Sequence, residues 1–136
     1  MASFCVTLFD TIENPGENDA CFITATRNLT INKGSGYRIK FLLSKDSNSV
    51  NLTGYSLRGQ IRPSSSSPTV LLNMTSANLL LGIDNSNSTI FMNLPESFTR
   101  RVSEAFAVYD IELLNNIGES SKIVTGLITF VPEVTQ

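Results

Sequence analysis

The segment FAVYDIELL, residues 106–114, decides the fold prediction because apolar and polar side chains alternate along it. Tyr109 and Ile111 fall on one side of this segment, whereas Asp110 and Glu112 fall on the other. Successive side chains of a β-strand point to opposite faces of the sheet. The alternation is therefore typical of a strand that turns one face to a core and the other to water.

Asp110 and Glu112 also raise a question of chemistry. On a strand, side chains two positions apart lie on one face at a spacing of roughly 7 Å. That spacing falls within the window of about 6.5–9.5 Å that separates the two carboxylates of an inverting glycosidase. Every acidic pair with this spacing on a strand satisfies the criterion, so we predict that the pair forms the solvent-facing side of the strand. A glycosidase that uses Asp110 and Glu112 is the alternative.

The segment GYSLRGQIR, residues 54–62, alternates in the same way and carries Arg58 and Arg62 on its polar face. If it pairs with the first segment, the two arginines face Asp110 and Glu112 across the ladder. Opposite charges in such positions stabilise a sheet by a few tenths of a kcal/mol per pair. We therefore expect cross-strand ion pairs, with energetic coupling between Arg58 and Asp110.

Further short runs with strand character are separated by Gly-, Asn-, Ser- and Pro-rich turns. They lie at residues 4–9, 22–31, 37–43, 69–74, 78–84, 89–94 and 122–131. About eight strands at roughly even spacing, without the alternating helices of a parallel sheet, predict an all-β fold. An antiparallel β-sandwich is the first choice, and a barrel is the alternative.

One segment has the pattern of a helix. Pro95 suits the first helical position, Glu96 suits the first turn, and Phe98 and Val102 lie four residues apart on one face. We predict a single short helix near residues 95–102.

Composition limits the range of functions. The chain has 136 residues, which is the length of one domain, and 41% of them are apolar. A net charge of −2 and a pI near 5.0 argue against nucleic acid as a partner, because a duplex binder needs a basic face. The sequence contains no His, which removes the commonest acid–base group and zinc ligand. No segment is apolar for long enough to cross a bilayer, so we expect no membrane partner.

Cys5 and Cys21 are the only cysteines. Two cysteines without a CxxC spacing are too few for a metal site. We predict two reduced thiols that behave as small apolar side chains, and a disulfide between them is the alternative.

Other candidate sites have simpler structural explanations. Gly34 and Gly36 follow a strand and precede another, which predicts a tight turn rather than a phosphate loop backed by a helix. The DNSNS segment, residues 84–88, lacks the spaced acidic ligands of a calcium loop and is predicted to be a turn. Arg100 and Arg101 are predicted to lie on the solvated face of the short helix, with anion binding as the alternative.

The three tyrosines, Tyr37, Tyr55 and Tyr109, each fall in the apolar register of a strand. We predict that they pack in or beside the core, and stacking against a sugar is the alternative.

The ordered set of motifs resembles a family of small structural proteins in the virions of tailed phages, especially the contractile-tailed phages of cyanobacteria. The family pattern contains an LTGY…R.QIR strand, a YDIE strand and a G…V.PEVT end. The matching residues are Leu52, Thr53, Gly54, Tyr55, Arg58, Gln60, Ile61, Arg62, Tyr109, Asp110, Ile111, Glu112, Gly126, Pro132, Glu133, Val134 and Thr135.

The resemblance covers about residues 29–135 and implies an immunoglobulin-like sandwich, similar to the N-terminal domain of baseplate upper proteins. It implies no enzyme activity and no cofactor. Members of the family begin close to the INKG strand at residue 31, so residues 1–27 are additional. We expect residues 1–27 to be an N-terminal extension or assembly arm, and residues 28–136 to be the β-sandwich domain.

Together these inferences predict a non-enzymatic virion protein, assembled in the host cytoplasm, that docks in several copies on the tail, baseplate or neck. Its expected partners are other virion proteins and copies of itself. We predict no catalytic residue, cofactor-binding residue or metal ligand. The expected contact segments are the N-terminal arm, the Ser-rich loop at 63–68 and the C-terminal PEVTQ segment. A carbohydrate- or receptor-binding module and a head-decoration protein are the alternatives.

Overall fold

The computed structural model describes residues 5–8, 25–45, 48–49, 52–84 and 88–132. Its side chains are described for residues 26–43, 52–84 and 88–132.

The described residues form two β-sheets and one short helix. The strands are β1 (Cys5–Leu8), β2 (Ala25–Thr26), β3 (Leu29–Asn32), β4 (Tyr37–Lys45), β5 (Asn48–Ser49), β6 (Ser56–Arg62), β7 (Leu72–Thr75), β8 (Leu81–Asp84), β9 (Thr89–Leu94), β10 (Phe106–Leu114) and β11 (Ser120–Val131). Helix α1 (Glu96–Arg101) lies between β9 and β10. The prediction of an all-β sandwich with one short helix is confirmed.

The first sheet has the order β1-β4-β9-β8, and β5 pairs with the end of β4. The second sheet has the order β7-β6-β10-β11, and β2 and β3 pair with successive parts of the free edge of β11. The described pairs are antiparallel except for those of β2 and β3, which run parallel to β11. A short hairpin would force β3 and β11 to run antiparallel, but none joins them. The chain passes from β3 through a turn to β4 in the opposite sheet, which allows β3 to pair parallel to β11.

One apolar core lies between the two sheets. Alternate side chains of β6 and β10 point into it, as the sequence pattern predicted. Its most completely buried members include Phe41, Leu43, Leu57, Ile61, Met74, Leu81, Ile90, Met92, Leu94, Ala107, Ile111, Val124 and Ile128. Both sheets contribute to this set, which distinguishes a sandwich from two independent hairpin layers.

The helix closes one end of the core. Pro95 precedes the helix, whose bounds fall one residue inside the predicted 95–102 at each end. Phe98 is buried and meets Phe130 edge to face, with ring centroids 6.2 Å apart. The buried Thr99 hydroxyl donates to the Ser35 carbonyl at 2.7 Å, which fastens the helix to the β3–β4 turn.

That turn is the one predicted from Gly34 and Gly36. Gly34 has a φ of +90°, which is accessible to glycine without the steric cost that a Cβ would bring. Its N–H donates to the Thr99 hydroxyl at 3.2 Å. The glycines therefore serve a tight turn, and no phosphate-binding helix follows them.

A β-bulge interrupts the pairing of β10 and β11. Ile111 lies opposite Val124 but Glu112 lies opposite Lys122, so Ile123 is the additional residue. Ile123 and Val124 are both buried as a result. The bulge reverses the alternation of β11 and places Lys122 on the same face of the sheet as Glu112.

Tyr109, Gly126 and Arg27 interlock where the chain passes between β2 and β3. The Tyr109 hydroxyl donates to the Arg27 carbonyl oxygen at 2.8 Å, and Gly126 lies directly opposite Tyr109. A Cβ on Gly126 would lie 1.8 Å from the Arg27 carbonyl oxygen and 2.9 Å from the Tyr109 ring. Only glycine allows this close approach. The contact ties the link between β2 and β3 to β10 and β11 of the second sheet.

The division at residue 27 remains a prediction. Most of the proposed arm, including Cys21, lies outside the described residues, so the state of the two cysteines also remains a prediction. Within the described part, β1 forms the edge of the first sheet beside β4, and β2 pairs with Val124 and Thr125 of β11. Residues 85–87 of the DNSNS turn and residues 133–136 of the PEVTQ segment are likewise outside the described residues.

Replacing Gly126 with Ala should destabilise the protein by about 3 kcal/mol or more, because the added methyl group collides with backbone that cannot move alone. The matched control is Gly118→Ala. Gly118 has a φ of +89° and nothing within 4 Å of its Cβ position, so it should lose only about 1–2 kcal/mol. Urea unfolding measures both changes, and equal losses would contradict the close approach at Gly126.

Burial in the core raises the pKa of Tyr109 well above its ordinary value, and the positive charge of Arg27 opposes part of that shift. Above about pH 10 the unfolded chain releases the Tyr109 proton while the folded chain keeps it. This group therefore lowers the free energy of unfolding by about 1.4 kcal/mol per pH unit in that range. Tyr109→Phe should lose about 1 kcal/mol at pH 7, from the missing hydrogen bond, and should show a shallower decline above pH 10. Urea unfolding from pH 7 to 11 measures the free energy of unfolding of the parent and of Tyr109→Phe. If the two free energies fell equally steeply above pH 10, this assignment would be wrong.

Candidate functional site

The outward side of the second sheet carries most of the polar residues that the sequence singled out. We call it the outer face and define it by Arg58, Gln60, Arg62, Phe106, Val108, Asp110, Glu112, Lys122, Thr125 and Leu127. The cross-strand register places Val108 beside Arg62 and Leu127, and Asp110 beside Gln60 and Thr125. The outer face therefore combines apolar and charged side chains on rigid strands.

The two acidic residues of β10 have different cationic partners. Arg58 lies opposite Glu112, and its Nε donates to the Glu112 carboxylate at 2.6 Å. Asp110 lies 3.4 Å from the Lys122 ammonium on β11. The expected ion pairing between Arg58 and Asp110 is wrong, because the register of β6 against β10 places Gln60 opposite Asp110.

Arg62 also differs from expectation. It lies opposite Val108, and its guanidinium binds within its own strand and the following loop. Its Nε and Nη2 both donate to Gln60 Oε1, at 2.9 and 2.6 Å, and its Nη1 donates to the Ser67 carbonyl at 3.0 Å. The Ser-rich loop at 63–68 is thus anchored to the outer face by Arg62.

A groove of about 560 Å³ crosses the outer face. Thr26 and Asn28 border one side of it, and Ser65 of the Ser-rich loop borders the other. Its floor and walls between these borders consist of Gln60, Arg62, Val108, Tyr109, Asp110, Lys122, Thr125, Gly126 and Leu127. The volume is within the range of small-molecule pockets. Composition alone gave no indication of this groove, because its residues come from four separate segments.

An apolar patch adjoins the groove at the end of the outer face where β10 begins. Phe106 lies opposite Thr129, which places Leu127 and Val131 on its diagonals. The exposed fractions of Phe106, Leu127 and Val131 are 58%, 41% and 36%. We call these three residues the apolar patch. Phe106 belonged to the polar-facing register of the first segment, so its exposure follows from the alternation.

The remaining candidates have structural roles. Tyr109 is buried, and Tyr37 and Tyr55 pack against the core, as predicted. Arg100 and Arg101 are exposed on α1, also as predicted, and Arg100 forms an ion pair with Glu96 one turn before it.

The edge of the second sheet at β7 is covered by a side chain. The Asn78 amide accepts from the Thr75 N–H and donates to the Asn73 carbonyl, both at 3.0 Å. These are backbone groups on one side of β7, where a strand of another chain would otherwise pair. Strand addition at this edge is therefore disfavoured.

Within the described residues, no group of three or more Cys, Asp or Glu side chains is placed to hold a metal ion. The single described helix is too short to cross a bilayer. Comparison with models of known protein families gives no match, and comparison with the curated proteins gives no significant match. The resemblance to phage virion proteins therefore rests on the sequence motifs alone.

A double-mutant cycle tests the observed ion pairs. Arg58→Ala and Glu112→Ala should be coupled by about 0.2–1 kcal/mol, because the pair is half-exposed and shielded by solvent. Arg58→Ala and Asp110→Ala are the matched control and should be additive within error. Free energies of unfolding in urea at low salt measure both cycles, and coupling in the second cycle alone would contradict the register.

Proposed function

We propose that this protein is a non-enzymatic structural component of a tailed-phage virion, which docks in several copies on the tail, baseplate or neck. Its partners are other virion proteins and copies of itself, and its location is the assembled particle. The observation that supports a docking role best is the apolar patch on the outer face. Exposed aromatic side chains next to aliphatic ones are common at protein interfaces, where desolvation of such residues supplies much of the affinity.

The scaffold beneath the patch suits a docking protein. Phe106 and Leu127 lie on adjacent long strands of the second sheet, whose inward side chains are buried. The charged residues Arg58, Glu112 and Lys122 lie further along the same face. Apolar side chains held on paired strands bind a partner with little loss of conformational entropy.

The strand order supports the immunoglobulin-like part of the proposal. The first sheet, β1-β4-β9-β8, corresponds in chain order to the A-B-E-D sheet of an immunoglobulin domain. The series β11-β10-β6-β7 corresponds to G-F-C with the additional C′ strand of the variable type. Neither β4 nor β10 carries a cysteine, so the inter-sheet disulfide of antibody domains is replaced here by apolar packing alone.

The apolar patch also has a suitable position relative to the expected contact segments. Val131 is the last residue of β11, and the PEVTQ segment follows directly. A partner seated on the patch would therefore contact the strand end from which the PEVTQ segment continues. The Ser-rich loop begins after Arg62, whose neighbour Val108 is two residues from Phe106.

Phe106→Ser should lower incorporation of the protein into particles by at least about tenfold, because loss of an aromatic anchor costs about 2 kcal/mol or more. The matched control is Ile117→Ser, since Ile117 is also exposed but lies on the β10–β11 turn away from the patch. Tagged variants supplied during infection are quantified by mass spectrometry of purified virions separated into heads and tails.

The parent protein should be found in the tail fraction, and both variants should unfold at the same temperature as the parent. Absence of the parent protein from the particles would refute the virion role. Equal incorporation of both variants would refute docking through the patch, and recovery in the head fraction would favour the head-decoration alternative.

A further inference from the structure

We propose that the groove on the outer face binds a neutral saccharide. This inference stands independently of the docking role, because it concerns the polar residues at the centre of the face rather than the apolar patch. The groove is bordered by Asn28 on one side and Ser65 on the other, and its centre is formed by Gln60, Arg62 and Asp110. Its volume of about 560 Å³ is sufficient for a small ligand.

The guanidinium of Arg62 is held in place before any ligand arrives. Three of its N–H groups are used by Gln60 Oε1 and the Ser67 carbonyl. A guanidinium has five N–H donors, so two remain for a ligand. Because both Gln60 and the loop fix its orientation, little side-chain entropy is lost when a ligand binds.

Donors and acceptors are interleaved across the groove. Asn28 Oδ1 accepts from the Leu127 N–H at 3.0 Å, which leaves the Asn28 amide nitrogen as a donor. Asp110 supplies carboxylate acceptors beside the Lys122 ammonium. Thr26 and Ser65 also line the groove, and their hydroxyl groups can both donate and accept hydrogen bonds.

This combination selects against ions and for hydroxyl groups. A cation would be repelled by Arg62 and Lys122, and an anion that bridged these two groups would lie beside the Asp110 carboxylate. A sugar hydroxyl both donates and accepts, so it can bridge the Arg62 and Asp110 groups without carrying a charge. We therefore assign a neutral saccharide rather than a phosphate, a sulfated sugar or a metal ion.

The apolar part of the groove fits the same ligand. Val108 and Leu127 lie side by side in the register and supply adjacent apolar side chains to the groove. A pyranose ring has one face of C–H groups that can lie on such a floor while its hydroxyl groups reach the polar border. The groove therefore offers the mixture of apolar surface and a few polar groups that is usual in ligand sites.

The first test uses the purified full chain on an array that carries neutral, sialylated and sulfated oligosaccharides. We expect binding to neutral glycans. The best neutral glycan is then titrated into ¹⁵N-labelled protein, and the shifted amide signals should map to Asn28, Gln60 and Asp110. Absence of binding on the array, binding only to acidic glycans, or shifts confined to other surfaces would each overturn the proposal.

Variants provide the second test. Gln60→Ala and Asp110→Asn should each weaken glycan binding at least tenfold, since each removes an acceptor or the support of Arg62. The control Arg100→Ala, on the exposed helix, should bind like the parent, and thermal unfolding establishes that each variant is folded. Undiminished binding by both groove variants would refute the site.

The two proposals fail in different ways. Phe106→Ser should retain glycan binding while it loses incorporation into particles, and Gln60→Ala should retain incorporation while it loses glycan binding. A protein that is absent from particles but binds glycans through the groove would refute only the docking role. A protein that is incorporated but binds no glycan would refute only the saccharide site.

Discussion

The pairing register of β10 fixes the position of every other feature described for the second sheet. This strand is paired on both sides, and its alternate residues Ala107, Tyr109, Ile111 and Leu113 are buried in the core. A slip of one residue would turn the carboxylates of Asp110 and Glu112 into the core and expose the apolar side chains. This would cost many kcal/mol. The positions of the ion pairs, the groove and the apolar patch all follow from this single alignment.

Asparagine side chains complete the sheet where backbone pairing fails, which gives a physical reason for the polar but weakly charged composition. Asn28 replaces a ladder hydrogen bond between β2 and β3, and Asn78 covers the edge of β7. Asn115 Oδ1 accepts from the N–H groups of Ile117 and Glu119 and so closes the β10–β11 turn. An amide offers both a donor and an acceptor, as the peptide group does, so it substitutes for backbone without adding charge.

The outer face joins two surfaces of different chemistry on one rigid support. In the proposed roles, a protein partner would bind the apolar patch around Phe106 through desolvation, whereas a ligand in the groove around Arg62 would bind through directed hydrogen bonds. The β-bulge at Ile123 places Lys122 of the groove on the same face as Leu127 of the apolar patch, while Ile123 and Val124 both remain buried. A module that docks through one end of a face and binds a small ligand at its centre is compatible with the proposed place in a virion.

Local periodicity and turn chemistry were sufficient to predict the fold class, the inward faces of β6 and β10, the turn at Gly34 and the short helix. Only the assembled sheet brings Arg58 to Glu112 and Lys122 to Asp110, because no local pattern encodes the register of the strands. The bulge had one sequence signal, the adjacent Ile123 and Val124, which breaks the alternation of β11. The groove had none, because side chains from β2–β3, β6, β10 and β11 meet only when the sheet is assembled.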